Sequence, residues 1–220
     1  MEENIVAQEQ PKSLPRIGSP APQFEAETTH GTIRLSDYEG SWLILFSHPA
    51  DFTPVCTSEF IGFQEIYPQL REMNTELLGL SVHSVSSHDA WIRTGQEKIR
   101  VESEFPIIAD LNKDIAQQYG MIMPDESTTE TSRAVFVIDD KQVIRAIIYY
   151  PMSTGRNMQE ILRLVKALQA TDEHNIATPA NWQEGDRVII PPAKTTELAE
   201  ERMNDDSIEC IDWYYCTKEI

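Results

Sequence analysis

The order of apolar runs along the chain is the feature that most restricts its fold. Residues 41–46 and 77–82 form short, nearly continuous apolar runs, as expected of strands that are buried on both faces. A helical pattern over 57–73, which Pro68 is expected to kink or end, separates these runs, and a second helical pattern follows over 87–100. Because strands joined through helices pair in parallel, this alternation predicts an α/β fold.

The next part of the chain adds a hairpin and a long helix to this pattern. A short helix is predicted over 113–119, and two β-rich runs at 134–138 and 143–150 flank a tight acidic turn, which predicts an antiparallel hairpin. Asn157 is the expected N-cap of a last amphipathic helix, with Glu160 three residues later. Together these elements predict a mixed sheet with helices on both faces.

A change in composition near residue 171 predicts a separate C-terminal segment. From there on the chain is acidic and holds a group of aromatic side chains suited to docking, namely Trp182, Trp213, Tyr214 and Tyr215. We therefore expect three parts: a flexible N-terminal segment at 1–13, a main domain at 14–170 and a small C-terminal appendage at 171–220.

The charge balance excludes several classes of partner. The chain contains 18 Lys and Arg but 36 Asp and Glu, which gives a formal net charge of −18. Such a chain repels phosphate backbones and anionic lipid, which argues against nucleic-acid and membrane partners. No run approaches the ~20 apolar residues of a membrane span, no secretory signal is visible, and three cysteines are too few for a disulfide scaffold. We expect a soluble, cytoplasmic protein.

The densest chemical signal follows the first apolar run. Thr53 is a good helix N-cap, Pro54 suits the first helical position, and Cys56 then falls in the first turn. A thiol there faces the positive end of the helix dipole, which favours the thiolate. The carboxyl end of a strand is also where open α/β sheets place their sites. The alternative is that Cys56 is a small buried apolar side chain, and the local pattern alone does not decide between the two.

A longer motif around this cysteine resembles a known family. Pro49-x-x-x-Thr53-x-x-Cys56, within the run that begins at Phe46, resembles the signature of peroxiredoxins, in the branch that carries a C-terminal extension domain. The resemblance extends roughly from Leu14 to the C-terminus. It implies a thioredoxin-like fold and reduction of hydrogen peroxide and organic hydroperoxides by Cys56, with no metal or organic cofactor.

The same resemblance implies roles for several other residues. Arg133 opens a run that matches the family strand beginning with the active-site arginine, so it is expected to pair with the thiolate and bind the peroxide; Arg156 matches a second arginine of this branch. The Thr53 hydroxyl is expected to join Arg133 in stabilising the leaving oxygen, and Pro49 to shield the sulfur from water.

The histidines receive two different interpretations. His48 matches a family histidine near the thiol that hydrogen-bonds to sulfur or peroxide; the alternative is a strand-end histidine held by the backbone. The remaining histidines form no metal-ligand spacing with each other or with cysteine, so no metal site is predicted: His30, His83, His88 and His174.

The other two cysteines lie close together in the tail. The segment that contains Cys210 and ends in aromatic residues and Cys216 resembles the tail of archaeal-type members of the branch. The resemblance implies that Cys216 forms a disulfide with Cys56 of a neighbouring chain, with Cys210 as an exchange partner, and that a thioredoxin-like dithiol reduces it. It also implies a homodimer that assembles into a decameric ring. The alternative is two inert thiols.

Other functions remain open on the sequence alone. A ring of this fold can act as a holdase for unfolded chains, a one-Cys mechanism can use an external thiol, and a cysteine hydrolase or transferase would need a base beyond His48. Around Ser41 the chain lacks both glycines of the lipase-like Gly-x-Ser-x-Gly segment found in mammalian-type members. Phospholipase activity is therefore not expected.

Overall fold

A computed structural model describes residues 14–99, 104–205 and 207–220 of the chain. The segment 1–13, predicted to be flexible, lies outside the described residues. The chain divides into two compact units, one ending at Arg156 and the other running from Asn157 to Ile220. The sequence predicts a boundary at 171, and the structure places it earlier, before the last long helix. Within the described residues, no helix is both long enough and apolar enough to cross a membrane.

A seven-stranded mixed sheet forms the first unit, with the strand order β2-β1-β5-β4-β3-β6-β7. Strands β3, β4 and β5 are parallel, whereas β6 and β7 form an antiparallel hairpin that also pairs antiparallel with β3. The strands are β1 Glu25–Thr28, β2 Gly31–Arg34, β3 Trp42–Ser47, β4 Thr75–Ser81, β5 Ile107–Ala109, β6 Arg133–Ile138 and β7 Ile144–Tyr150. The predicted mixed sheet and the predicted hairpin are confirmed.

Three α-helices connect these strands: α1 Pro54–Glu72, α2 Val85–Ile99 and α3 Asp114–Gln118. The helix does not end at Pro68, one of the two outcomes expected there, because α1 continues to Glu72. Proline costs a backbone hydrogen bond inside a helix, but Ile66, Tyr67 and Leu70 are buried on either side of it, and their burial offsets that cost.

The centre of the sheet is apolar on both faces. Every residue of β3 and β6 is buried, and Leu45 of β3 lies opposite Phe136 on one side and Leu78 on the other. The hairpin β1–β2 and the short strand β5 are absent from the sequence prediction, because β1 and β2 contain no apolar run and the strand β5 is only three residues long. The carboxyl end of β3 leads directly into α1, so the tightly packed sheet centre fixes where that helix begins.

The second unit contains α4 Met158–His174, α5 Thr196–Met203 and a three-stranded sheet of β8 Val188–Ile189, β9 Glu209–Asp212 and β10 Tyr215–Lys218, in the order β8-β10-β9. The predicted cap of α4 is confirmed, since the Asn157 side chain accepts a hydrogen bond from the Glu160 backbone N–H at 3.1 Å. Ala167 of α4 packs in a small apolar cluster with Ile176, Trp182 and Val188. This packing explains why α4 groups with the C-terminal segment.

Candidate active site

The turn between β3 and α1 places Cys56 in a buried position. Thr53 is extended and precedes the helix, Pro54 is its first residue, and Cys56 is 1% exposed in its first turn. Thr53 occupies the predicted N-cap position, but its hydroxyl donates to the carbonyl of Ala50 at 2.9 Å and accepts no hydrogen bond from the helix. That hydroxyl therefore fixes the loop before the helix.

Arg133 is the charged group nearest to the thiol among the contacts of Cys56. It is the first residue of β6, and its Nη1 lies 3.3 Å from the Cys56 Sγ. Its Nε and Nη2 donate to the carbonyl of Met152 at 2.9 and 2.6 Å, so the plane of the guanidinium is fixed. The Cys56 sulfur therefore lies in contact with a buried guanidinium whose orientation is fixed.

Glu59, which the sequence analysis did not single out, connects the two arginines. One carboxylate oxygen accepts from Arg133 Nη1 at 2.6 Å and from Arg156 Nη2 at 2.7 Å, and the other accepts from Arg156 Nε at 2.8 Å. Glu59 lies three residues after Cys56 on α1, hence on the same helix face. The three-residue spacing from Cys56 is the only sequence feature that could have indicated Glu59. It indicates a role only when the positions of Arg133 and Arg156 in the fold are known.

The electrostatics of this group leave a positive charge beside the sulfur. Burial acts to raise the pKa of Glu59, but the hydrogen bonds and charge of Arg156, together with the charge of Arg133, lower that pKa below its ordinary value. One ionised carboxylate thus faces two guanidinium groups. The local net charge is positive in a protein that is strongly negative overall.

Arg156 does not reach the surface of this site. Its side chain is completely buried, and its Nη1 donates to the carbonyl of Ala134 at 2.9 Å while its other donors bind Glu59. The expectation that Arg156 binds substrate is therefore corrected: it positions Glu59 and, through it, Arg133. The guanidinium also packs over the rings of Phe46 and Phe63 at 5.4 and 5.2 Å.

His48 faces away from the thiol. Its Nε2 lies 2.9 Å from Asp51 Oδ1, its carbonyl accepts from Thr131, and its ring is 5.1 Å from that of Trp91. Among the described residues, no hydrogen bond joins His48 to Cys56. Burial lowers the pKa of His48 more than Asp51 raises it, so the ring is neutral at neutral pH. The expected hydrogen bond of His48 to sulfur is therefore not met within the described residues; its ring supports the loop through Asp51.

Asp51 is the centre of a buried polar cluster. Its carboxylate lies within 3.0 Å of His48 Nε2 and His88 Nδ1 and accepts from Ser87 Oγ at 2.7 Å. Burial opposes ionisation of Asp51, but the hydrogen bonds from His48 and His88 hold its pKa well below the usual range. Because His88 Nε2 also donates to the carbonyl of Ile108 at 3.1 Å, the cluster ties the loop before Cys56 to β5.

This cluster also corrects the expectation that the histidines have no metal-ligand arrangement. Residues from separate parts of the chain, His48, Asp51 and His88, place their donor atoms within 4.8 Å of one another. Sequence spacing cannot detect such a group, because folding brings β3 and α2 together. The atoms that would bind a metal are already hydrogen-bonded to one another, since His48 Nε2 and His88 Nδ1 both contact the Asp51 carboxylate. The hydrogen bonds within the cluster therefore satisfy its polar atoms.

A small pocket opens beside Arg133, the residue that contacts the Cys56 sulfur. Its volume is about 230 Å³, and its lining is Pro49, Ala50, Thr53, Pro54, Val55, Glu130, Arg133 and Met152. The structure thus brings together the predicted residues Pro49, Thr53 and Arg133 next to Cys56. A pocket of this size admits a hydroperoxide group and places it against a fixed positive charge.

Comparison with known proteins agrees with this geometry. Residues 17–147 match the AhpC/TSA family, and residues 167–205 match the C-terminal domain of 1-Cys peroxiredoxin. A peroxiredoxin of Methanocaldococcus jannaschii is 53% identical over 217 residues, which cover 94% of this chain and 100% of that protein; one of Aquifex aeolicus is 51% identical over 219 residues, which cover 94% and 98%. The chain belongs to the peroxiredoxin family. It is therefore a thiol peroxidase.

Solved structures of peroxiredoxins confirm the thioredoxin-like fold. A yeast mitochondrial 1-Cys peroxiredoxin superposes with a TM-score of 0.82 at 41% identity, covering 93% of this chain and 99% of that one. Peroxiredoxin 6 of Arenicola marina, as a cysteine-to-serine mutant, superposes with a TM-score of 0.83 at 35% identity and covers 93% and 98%. The likeness includes the C-terminal extension.

The two tail cysteines are bonded to each other. Cys210 on β9 and Cys216 on β10 are register partners and form a disulfide, with their Cα atoms 4.1 Å apart. Among the described cysteines, Cys56 alone is free. The structure therefore describes the state in which the expected resolving cysteine of this peroxiredoxin is joined to its expected exchange partner.

Proposed function

We propose that this peroxiredoxin reduces hydrogen peroxide and organic hydroperoxides at Cys56 and is recycled through its tail cysteines by a dithiol. The observation that carries the proposal is the 3.3 Å contact between Arg133 Nη1 and Cys56 Sγ. Arg133, Pro49 and Thr53 line the same small pocket, so a peroxide that enters it meets the guanidinium that contacts the sulfur.

The first half-reaction oxidises sulfur and reduces the peroxide. The Cys56 thiolate attacks one oxygen of the O–O bond, that bond breaks, and the other oxygen leaves as hydroxide or alkoxide and takes up a proton to give water or an alcohol. Cys56 becomes a sulfenic acid. Negative charge moves from sulfur to the leaving oxygen during this step. Because Met152 and Glu59 hold Arg133 in place, its guanidinium can stabilise that charge without moving.

The second half-reaction uses the tail. In our proposal the Cys216 thiol of a neighbouring chain attacks the sulfenic sulfur, forming a disulfide and releasing water. The Cys210 thiolate then attacks the sulfur of Cys216, which releases the Cys56 thiolate and leaves a disulfide between Cys210 and Cys216. The pairing of these two residues across β9 and β10 supports this exchange. A thioredoxin-like dithiol reduces the tail disulfide and is itself oxidised.

Assembly and compartment follow from this chemistry. An interchain disulfide requires at least a homodimer, and we propose a decameric ring of such dimers with contacts from the C-terminal extension. Because a free thiol at Cys56 and a dithiol reductant require a reducing environment, we propose the cytoplasm as the compartment.

A one-Cys mechanism is the second candidate. The yeast neighbour is described as a 1-Cys peroxiredoxin resolved through glutathione and thioredoxin systems, and the C-terminal segment matches a 1-Cys peroxiredoxin domain. In that case an external thiol, not Cys216, condenses with the sulfenic acid of Cys56.

Cysteine-to-serine variants separate these mechanisms. Cys56→Ser should abolish peroxide consumption. Cys216→Ser should consume one equivalent and then lose turnover with thioredoxin, and the interchain dimer band on non-reducing electrophoresis should disappear. Cys210→Ser should retain that band but turn over more slowly. Full thioredoxin-dependent turnover by Cys216→Ser, or an unchanged rate with glutathione alone, would replace our proposal with the one-Cys mechanism.

A further inference from the structure

The pocket beside Arg133 carries one negative charge that the proposed reaction does not use. Among the described residues that line this pocket, only Arg133 and Glu130 are charged, and Glu130 is half-buried. A sphere with the pocket's volume of about 230 Å³ is about 8 Å across, which is close to the distance over which charges act in physiological salt. A molecule in the pocket is therefore within reach of both charges.

The backbone on both sides of Glu130 is held in place. The Glu130 N–H donates to Ser127 Oγ at 3.1 Å, and the same oxygen accepts from the Thr129 N–H at 3.2 Å. On the other side, Thr131 is fully buried, and its hydroxyl donates to the carbonyl of His48 at 2.9 Å. Because these bonds tie the segment to the residue after β3, Glu130 is a fixed part of the pocket wall.

The Glu130 carboxylate has no counter-charge of its own. Among the described residues, no hydrogen bond or ion pair engages this carboxylate. Two other carboxylates near the pocket have defined partners: Glu59 pairs with Arg133 at 2.6 Å, and Glu126 Oε1 accepts from the Met152 N–H at 2.6 Å. Hydrogen bonding explains those two carboxylates but does not explain a third one in the wall of the pocket.

A second charge changes which molecules the pocket accepts. A guanidinium attracts carboxylate, sulfate and phosphate groups alike, so Arg133 alone would favour any small anion beside the sulfur. A fixed negative charge in the same wall raises the free energy of an anion in the pocket. A neutral peroxide brings no net charge, so the same carboxylate has little effect on its entry.

We propose that Glu130 determines the specificity of this peroxidase for uncharged peroxides, by repelling peroxides that carry a negative charge next to the O–O bond. The favoured class comprises hydrogen peroxide and alkyl hydroperoxides in which any anionic group lies far from the O–O bond. Arg133 still contacts the sulfur, while Glu130 acts on what enters the pocket. The inference rests on the proposed function and names the substrate specificity of the same site.

The test compares two small peroxides that differ in charge, hydrogen peroxide and peroxymonosulfate, which is a monoanion at neutral pH. The Cys56 thiolate bonds to the hydroxyl oxygen of peroxymonosulfate, the O–O bond breaks with its electron pair on the departing sulfate dianion, and Cys56 becomes a sulfenic acid. Second-order rates of Cys56 oxidation are measured by stopped flow with reduced protein at neutral pH and low salt. Cys56→Ser gives the background oxidation of other side chains.

The substitution Glu130→Gln removes the charge and keeps the shape. It should speed the reaction with peroxymonosulfate by about tenfold and leave the rate with hydrogen peroxide within about threefold. Glu130→Asp keeps the charge and should match wild type. Asp125→Asn is the matched control, because Asp125 lies exposed on the same loop, does not line the pocket and removes the same charge when replaced. In about 1 M sodium nitrate, where charges act over only about 3 Å, the tenfold gain should fall to about twofold.

The outcomes separate the specificity of the pocket from the reaction itself. If wild type consumes hydrogen peroxide and Glu130→Gln leaves the ratio of the two rates unchanged, the role of Glu130 is overturned and the peroxidase proposal stands. If wild type fails with hydrogen peroxide, the peroxidase proposal itself fails. An equal gain in Asp125→Asn would assign the effect to the net charge of the protein, and a gain that persists in high salt would assign it to shape; either result overturns the specificity proposal.

Discussion

The free cysteine and the disulfide differ in the charges around them. Cys56 is buried at the start of a long helix, and three buried charged side chains hold one another and its sulfur in place. Cys216 is equally buried, at 1% exposure, and Cys210 is half-buried, in a three-stranded sheet beside the exposed apolar residues Ile211 and Trp213. The first arrangement suits attack on a small molecule, which needs fixed charge and little water. In the second, Cys216 must be uncovered before it can exchange with another protein.

The first prediction tests how firmly the charges at Cys56 are coupled. In Glu59→Gln, the buried guanidinium groups of Arg133 and Arg156 lose their counter-charge, and removing one partner of a buried ion pair is strongly destabilising. We expect a loss of about 3–5 kcal/mol in the free energy of unfolding, measured by urea unfolding. The control is Glu104→Gln, since Glu104 pairs with Arg71 at the exposed surface; it should change stability by less than about 1 kcal/mol.

The pH dependence of stability, compared between wild type and Glu59→Gln, gives a second measurement of the same coupling. The pKa of Glu59 is lowered by folding, so its contribution is present above the unfolded value of about 4.3 and is lost as the pH falls through the lower folded value. Wild type should therefore lose stability below about pH 4, and Glu59→Gln should lose less over that range. Identical pH profiles for the two proteins would show that folding does not lower the pKa of Glu59.

The second prediction concerns the rate at the buried site. Arg133→Met removes the donor that contacts sulfur, and loss of one fixed donor to a developing anion lowers rates by about 10²–10³-fold. The second-order rate constant of Cys56 with hydrogen peroxide, measured by stopped flow, should fall by that factor. Arg71→Met, at an exposed ion pair, is the control and should stay within about twofold. A similar loss of rate in both variants would show that the net charge of the protein, and not the contact between Arg133 and the Cys56 sulfur, sets the rate.

The sequence predicts contacts between neighbouring residues better than contacts between residues that are far apart along the chain. The helix start at Pro54 and the cap of α4 at Asn157 are local patterns, and both were predictable from neighbouring residues. The partnership of Glu59 with Arg133 joins residues 74 positions apart, and that of Asp51 with His88 joins residues 37 apart. No local pattern contains such a pair; only the packed sheet brings its members together.

The disulfide in the tail is also not predictable from local sequence patterns. Cys210 and Cys216 were recognisable by resemblance, but their bond to each other depends on the register of β9 and β10, two four-residue strands in which Cys216 alone is buried. Such strands carry little alternation of apolar and polar residues, so their pairing is weakly encoded in sequence. The main unit, with its continuous apolar runs, was correspondingly easier to predict.

The third prediction tests whether the tail is stabilised mainly by its disulfide. The bond closes a loop with a sequence separation of 6, for which the chain-entropy model gives about 2 kcal/mol. Cys210→Ser should therefore raise hydrogen exchange in β9 and β10 by the equivalent of about 2 kcal/mol. Exchange in β3 and β6 should stay unchanged. Increased exchange in both regions would show that the two units do not open independently.

The fourth prediction has the smallest expected effect and tests whether the C-terminal unit can be weakened without affecting the reaction. The Asn157 side chain accepts from the Glu160 N–H at the start of α4, and replacing an asparagine N-cap by alanine costs about 1 kcal/mol. Asn157→Ala should raise hydrogen exchange in the first turn of α4, whereas Asn157→Ser, which retains an acceptor, should not.

Because Asn157 directly follows Arg156, the experiment also asks whether the backbone N–H of Arg156, which donates to Glu59 at 2.8 Å, depends on that cap. We expect the rate of Cys56 with hydrogen peroxide to be unchanged, since four hydrogen bonds from Arg156 to Glu59 and Ala134 fix the arginine independently of the helix. A slower rate in Asn157→Ala but not in Asn157→Ser would show instead that the helix start supports the charges around the thiol.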